Sequence, residues 1–220
     1  MQNILFDMSN MHNYGNAFYE FLRLRKHFLV DQLSWRIPHD AHVEMDQYDT
    51  PRAYYSVVER DGKIIAGART QSTDVVWGEY TCMLKDAALG RLRGIPSDIF
   101  DPSICGPHLW ECTRLVVADE VTSLEERTQC VALSIDGLIR AILANGGNSM
   151  ISFSPLPLQR TFRHIGVHAE RISEPIVCED DGRRYAVFHA QTVRAPERLR
   201  QLGIDPVRNA VFPELLSKAV

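Results

Sequence analysis

Glu44, Asp46 and Asp49 fall within six residues, in the run EMDQYD, and taken alone such a run reads as a solvated loop. Three further charges change the question, because they sit where water is scarce. Arg69 ends the second strand of an expected hairpin, and Glu111 and Arg114 lie in the middle of WECTRLVV, an otherwise apolar strand. A charge there is costly unless it is paired or lies at a site that uses it. Glu111 and Arg114 are three residues apart, so a regular strand sends them to opposite faces. Either the strand is an edge with one solvated face, or it is bulged or bent beside a cleft. On the second reading, carboxylates and guanidiniums gather where they can bind charged groups and move protons.

Other reactive residues offer less. His164 and His168 form an HxxxH pair, but Gly166 ends the helix that would align both rings, so no metal site is expected. Nothing in the sequence marks Cys112 as activated, and an unactivated thiol is mostly protonated at neutral pH. Covalent catalysis through it is not expected. The five cysteines form no CxxC and cannot all pair, which suits small apolar packing in a reducing compartment.

The composition bounds the rest. A chain of 220 residues, 45% hydrophobic and 24% charged, supports one sizeable core, so a single domain over 1–220 is expected, with 194–220 as a peripheral tail. A net charge of −4 and a pI near 6.1 argue against a nucleic-acid-binding module. No apolar run approaches the roughly 20 residues of a membrane span. The N-terminus lacks the basic start, apolar stretch and small-residue cleavage site of a signal peptide, so a cytoplasmic protein is expected.

The elements that must position these charges follow from periodicity. Apolar residues at three- and four-residue steps from Phe18 to Leu33 predict an amphipathic helix over 16–34. AYYSVVER and KIIAGARTQS, joined by Asp61-Gly62, predict a type I′ hairpin. Residues 79–107 read as loop and short helical pieces, and 108–118 as a strand. Ser123 and Glu126 form a capping box for a second helix, which Asn145-Gly146 ends. SMISFS reads as a buried strand, PLPLQRTFRHIG as a short helix, and VHAERIS and RYAVFHAQT as closing strands. Helices interleaved with paired strands give an α/β sandwich with a mixed sheet.

In this frame Arg25, Trp35, Asp46, Asp49, Arg69, Glu111 and Arg114, with E-C-T-R as E-x-[ST]-R, stand in an order that resembles the acyl-homoserine-lactone synthases, the autoinducer synthases of bacterial quorum sensing, over residues 20 to 170. The chain departs from that pattern at Leu29, where an aromatic is usual; a one-residue shift of the helix face would bring Phe28 there. The resemblance implies a GNAT-like three-layer sandwich with a cleft-forming central sheet. It also implies that S-adenosylmethionine serves as substrate, not as a tightly bound cofactor. Its amine attacks an acyl thioester on acyl carrier protein or coenzyme A, and lactonisation then releases methylthioadenosine.

That substrate brings a sulfonium, an ammonium and a carboxylate, for which Arg25, Phe28, Trp35, Asp46 and Asp49 supply arginine, π faces and acids. Asp46 and Asp49 serve equally well as scaffolding, through ion pairs to Arg69 or Arg114. Glu111 is the candidate base, acting directly or through one water, beside Arg69 and Arg114. Backbone N–H groups near Cys112 and Thr113, or near Ser152, are candidate oxyanion donors. Met150 and Ser152 of the buried strand, with Leu138, Ile142 and Phe162, are candidates for the acyl pocket. Arg160, Arg163 and Arg171, with His164, are candidates for docking an acidic carrier, or are a solvated helix face.

Two rivals are weaker. A GNAT acetyltransferase using acetyl-CoA needs a glycine-rich pyrophosphate loop after its central strand, where ADEVTSLEERTQ has no glycine; RLRGIP, the nearest match, precedes the strand. A non-catalytic acyl-binding module would have no need of all seven charged or aromatic positions.

Overall fold

The structure, a computed structural model, describes residues 1–211. The hairpin forms where Asp61-Gly62 directs it. Strands β2 (Tyr54–Arg60) and β3 (Lys63–Ser72) are antiparallel, and both loop residues take positive φ, 54° and 77°, as a type I′ turn requires. β4 (Leu109–Val117) lies antiparallel on the other side of β3. β5 (Ser149–Pro155) runs parallel to β4, but only from Leu109↔Ser149 to Glu111↔Ile151. Beyond that point β4 stays with β3 while β5 goes with β8 (Arg184–Gln191). The sheet therefore splits, and the split is the cleft.

β1 (Gln2–Asp7) pairs with β2 and was not expected. Its apolar stretch, Ile4 to Phe6, is too short for periodicity to identify. Asn3 ties it down, donating to Ser56 Oγ at 2.8 Å and to the Val57 carbonyl at 3.1 Å. The last described strand, β9 (Ala210–Val211), runs parallel to β1. The closing strand expected at VHAERIS is reduced to β6 (Glu170–Arg171), with β7 (Ile176–Val177) following it, and both pair with β8. The sheet order is β6-β8-β5-β4-β3-β2-β1-β9.

Helices cover both faces. On one lies α1 (Ala17–Arg25), continued over Lys26–Gln32 as wider π turns, so the expected long helix forms but its second half is rotated. On the other lies α3 (Leu124–Ala144), which Ser123 caps by accepting from the Glu126 N–H at 3.1 Å. Short helices α2 (Met83–Ala88), α4 (Leu158–His164) and α5 (Pro196–Gln201) complete the layers. The expectation of a peripheral tail from 194 is corrected over the described part: Leu199 and Ile204 are buried in the same core as α3. Residues 212–220 of that tail lie outside the described residues.

Gly137 sets how closely α3 meets the sheet. A Cβ there would lie 2.1 Å from Ser56 Oγ and 2.6 Å from Asn3 Oδ1. Glycine to alanine inside a helix ordinarily stabilises by about 0.8–1 kcal/mol. Here the sign reverses: Gly137→Ala is expected to destabilise by about 1–3 kcal/mol through overpacking, read as a lower thermal midpoint.

Candidate active site

EMDQYD is not a solvated loop. Glu44, Asp46 and Asp49 are buried against Arg25, Arg69 and Arg114, three carboxylates against three guanidiniums. Arg25 grips Asp49 with two parallel bonds of 2.8 Å and reaches Glu44 with Nε at 2.6 Å. Arg69 holds Asp46 at 2.6 and 3.1 Å and lies 2.8 Å from Asp49. Arg114 closes the group, with Nη2 2.6 Å from Asp46 and Nε 3.2 Å from Glu44. The Tyr55 hydroxyl and the Asp46 backbone N–H both donate to Asp49. Burial alone raises the two aspartates. Arg69 and Arg114 on Asp46, and Arg69 and Arg25 on Asp49, outweigh it and hold both carboxyls below the usual range.

The strand question resolves as a bulge. Gly67↔Val116 and Arg69↔Thr113 are both in register, so Ala68 faces two residues, Arg114 and Leu115. Arg114 takes φ +58°, a conformation uncommon outside glycine, and its ion pairs to Glu44 and Asp46 hold it there. Glu111 stays on a regular stretch and does not join the ion-pair group. Its two carboxylate oxygens accept from the Met83 and Leu84 N–H groups, at 2.8 and 2.7 Å, where α2 begins. Burial pushes Glu111 up to about 7, against those two hydrogen bonds, which pull it down. Burial also pushes Cys112 up to about 12. Its thiol is a poor nucleophile at neutral pH.

A cavity of about 680 Å³ fills the split between β4 and β5. Its polar end is walled by Asp46, Arg114 and Trp35, with Phe28 beside them. The π turns bring both Phe28 and Leu29 to this wall, so the aromatic absent at 29 is supplied by its neighbour. Trp35 is fixed by donating its indole N–H to Asp181 at 3.0 Å, and Asp181 also accepts from the Tyr185 hydroxyl at 2.6 Å. The apolar end is lined by Leu138, Met150, Ser152 and Phe162, together with Val131 and Phe188. Ser154 donates to Ser152 at 3.0 Å, placing a hydroxyl pair in an otherwise apolar wall.

Several sequence expectations need correction. Arg25, Arg69 and Asp49 do not line the cavity, because the buried ion pairs use their polar atoms. Glu111 does not line it either, so of the two expected routes, direct or through one water, the direct one is closed; Met83, whose N–H it accepts, and its strand neighbour Cys112 do line the cavity. Ile142 is buried near Gly147 and Trp110 instead of facing the cavity, the helix having turned it toward the start of the sheet. Arg160 and Arg163 are exposed one turn apart on α4, and Arg171 is exposed on β6. Arg160 and His164 share a shallow groove with Arg198 and Arg200. Glu44 was missed as a site residue, although it opens the acidic run and bridges two arginines. Leu115 was missed, and Thr113 was expected only for its backbone N–H, because only the bulge turns that stretch into the cavity wall.

Removing one partner of a buried pair strands the other charge. Glu44→Gln is therefore expected to destabilise by about 3–5 kcal/mol in urea unfolding. The depressed aspartates add a pH dependence: their contribution is present above the usual value of 3.8 of the unfolded chain and is lost as pH falls through the lower folded values. The urea midpoint of the wild type should accordingly drop below pH 3.8, from loss of Asp46 and Asp49 ionisation.

Comparison with known proteins bears on what this site belongs to. A family profile described as autoinducer synthase matches residues 9–191. An acyl-homoserine-lactone synthase from Acinetobacter nosocomialis is 29% identical over 174 residues, covering 76% of this chain and 89% of the relative. One from Aeromonas hydrophila is 24% identical, covering 70% of each. A CoA-dependent acyl-homoserine lactone synthase, BjaI, solved with SAM and isopentyl-CoA, shares the fold at TM-score 0.75 and 15% identity, covering 96% of this chain and 93% of its own. An acyl-CoA N-acyltransferase from Pseudomonas aeruginosa is more distant, at TM-score 0.52 and 16% identity, covering 86% and 99%. The profile and the relatives favour a lactone synthase over an acetyltransferase. Since the profile match takes in both cavity walls and all three carboxylate-guanidinium partners, the chain belongs to the autoinducer synthase family.

Proposed function

We propose that the protein is an acyl-homoserine-lactone synthase that acylates the amine of S-adenosylmethionine from an acyl thioester and then closes the lactone, releasing methylthioadenosine. The observation that carries this is one continuous cavity, charged and aromatic at one end and apolar at the other, running through the split between β4 and β5. S-adenosylmethionine takes the polar end, its carboxylate toward Arg114, its ammonium toward Asp46 and its sulfonium against Trp35 and Phe28. Arg25, Arg69 and Asp49 act at one remove, holding Asp46 and Arg114 in place. The acyl chain takes the apolar end, with Ser152 and Ser154 able to meet an oxygen on it.

The reaction needs a base, and Asp46 and Asp49 make poor ones because guanidiniums hold them as anions. Glu111, near 7, is suited to take a proton at physiological pH, and its burial makes the route one water long. The amine then attacks the thioester carbon and the C–S bond breaks, releasing the thiol. Backbone N–H groups of the bulge near Cys112 and Thr113, or of β5 near Ser152, hold the oxyanion. The carboxylate next attacks its own γ-carbon, the C–S⁺ bond breaks, and the lactone closes. The donor is acyl carrier protein, met by Arg160, Arg163 and Arg171, or acyl-CoA. No helix among the described residues is long and apolar enough to cross a membrane.

Purified protein given S-adenosylmethionine with an acyl-carrier-protein or acyl-CoA donor should yield an acyl-homoserine lactone and methylthioadenosine by mass spectrometry. No lactone with either donor would overturn the proposal. Glu111→Gln should lower turnover about 10²–10⁴-fold, and the wild-type rate should rise with pH through about 7. Turnover should fall far more than stability, which loses one of the two backbone N–H bonds that the carboxylate accepts. Glu111 is raised in the fold, so it favours the native state at low pH and weakens it as pH rises from 4.5 toward 7, and the glutamine variant lacks that loss. Arg160→Glu with Arg163→Glu should raise the Michaelis constant for acyl carrier protein while leaving S-adenosylmethionine binding unchanged, as local complementarity predicts.

A further inference from the structure

Gln71 sits on β3 directly opposite Glu111 on β4, so the two side chains are cross-strand neighbours on the face toward α1. Arg69, two residues earlier on the same face, is satisfied by Asp46, Asp49 and Thr113. Gln71 is not. It is 2% exposed, and neither its Nε2 nor its Oε1 has a hydrogen-bond partner among the described residues. Such a group costs about 1–3 kcal/mol when left unmade, and an apolar side chain of that shape would be cheaper at a purely structural position.

The neighbour supplies a use for the amide. Each Glu111 oxygen accepts one backbone N–H, from Met83 or Leu84, and retains a free lone pair. Glu111 is also close enough to the cavity-lining Tyr48 and Asp46 to interact electrostatically with both. We infer that Gln71 is a positioning residue for the acyl transfer, holding the water through which Glu111 takes the proton of the substrate amine. This rests on Glu111 being the proton acceptor. The primary amide can donate to a water and accept from it, fixing its orientation so that it receives a proton from the ammonium as it passes one to the carboxylate. The water ends neutral, Glu111 ends protonated, and the free amine is left to attack.

The test is Gln71→Met, which keeps length and removes both polar atoms, alongside Glu111→Gln and the double variant. Gln71→Met should release thiol from the acyl donor about 10- to 100-fold more slowly, with the Michaelis constant for S-adenosylmethionine unchanged and a thermal midpoint equal to or above wild type. Its pH–rate midpoint should lie above the wild-type value near 7, since the carboxylate loses a solvating water. On the Glu111→Gln background it should slow nothing further. If Glu111→Gln is slow but Gln71→Met runs at the wild-type rate, the inference about Gln71 fails and Glu111 stands. Independent, multiplicative losses in the two single variants would likewise overturn it. If Glu111→Gln keeps the wild-type rate, the acceptor assignment itself fails, and the inference with it. Gln71→Leu provides a second apolar shape, and failure of both variants to fold would assign the amide a structural role and overturn the proposal.

Discussion

The structure depends on burying six charges together. Glu44, Asp46 and Asp49 are buried, and each is compensated by at least one arginine within 2.8 Å or, for the weaker contacts, near 3.2 Å. Desolvating any one of them alone would cost several kcal/mol, so the arrangement holds only when all four segments that supply it are docked. Those segments are α1, the loop that carries EMDQYD, and strands β3 and β4. The network thus couples the N-terminal layer to the sheet and fixes Asp46 and Arg114, its two members that line the cavity.

The same constraint separates holding from reacting. A carboxylate bound by two guanidiniums is stabilised as an anion and has little tendency to accept a proton. Glu111 lies on the adjacent part of β4 but is bound by two backbone amides and no arginine, and burial leaves it near 7. Two residues of one strand, three positions apart, therefore differ in kind. The bulge at Arg114 produces that difference by turning the guanidinium toward Glu44 and Asp46 while Glu111 remains in regular register with Gln71. Arg114 holds left-handed backbone geometry because the ion pairs offset its strain.

The split between β4 and β5 converts this local geometry into a binding site. A parallel pair that stops after three register positions leaves unpaired strand edges facing each other, and the cavity occupies the space between them. Side chains from both faces of β5 then reach one volume: Met150, Ser152 and Ser154 from one, Ile151 and Phe153 from the other. Strand alternation alone would have divided them between two environments. The latch from Trp35 to Asp181 closes the opposite side, joining the end of the π-wound segment to the turn before β8.

Local rules determined much of this from sequence. The capping box at Ser123, the hairpin at Asp61-Gly62, and the apolar face of residues 16–34 each depend on neighbouring residues, and the charges of WECTRLVV marked a place where an ordinary strand would be unstable. The order of Arg25, Trp35, Asp46, Asp49, Arg69, Glu111 and Arg114 carried the family. What only tertiary structure decided was which of those charges meet each other and which meet the cavity. Pairing Arg25 with Glu44 and Asp49, turning Ile142 away from the acyl wall, placing Phe28 through π turns and burying Leu199 in the core all depend on contacts between segments distant in sequence. Sequence periodicity reports the face on which a side chain lies, but a bulge, a π turn or a split sheet changes what that face meets.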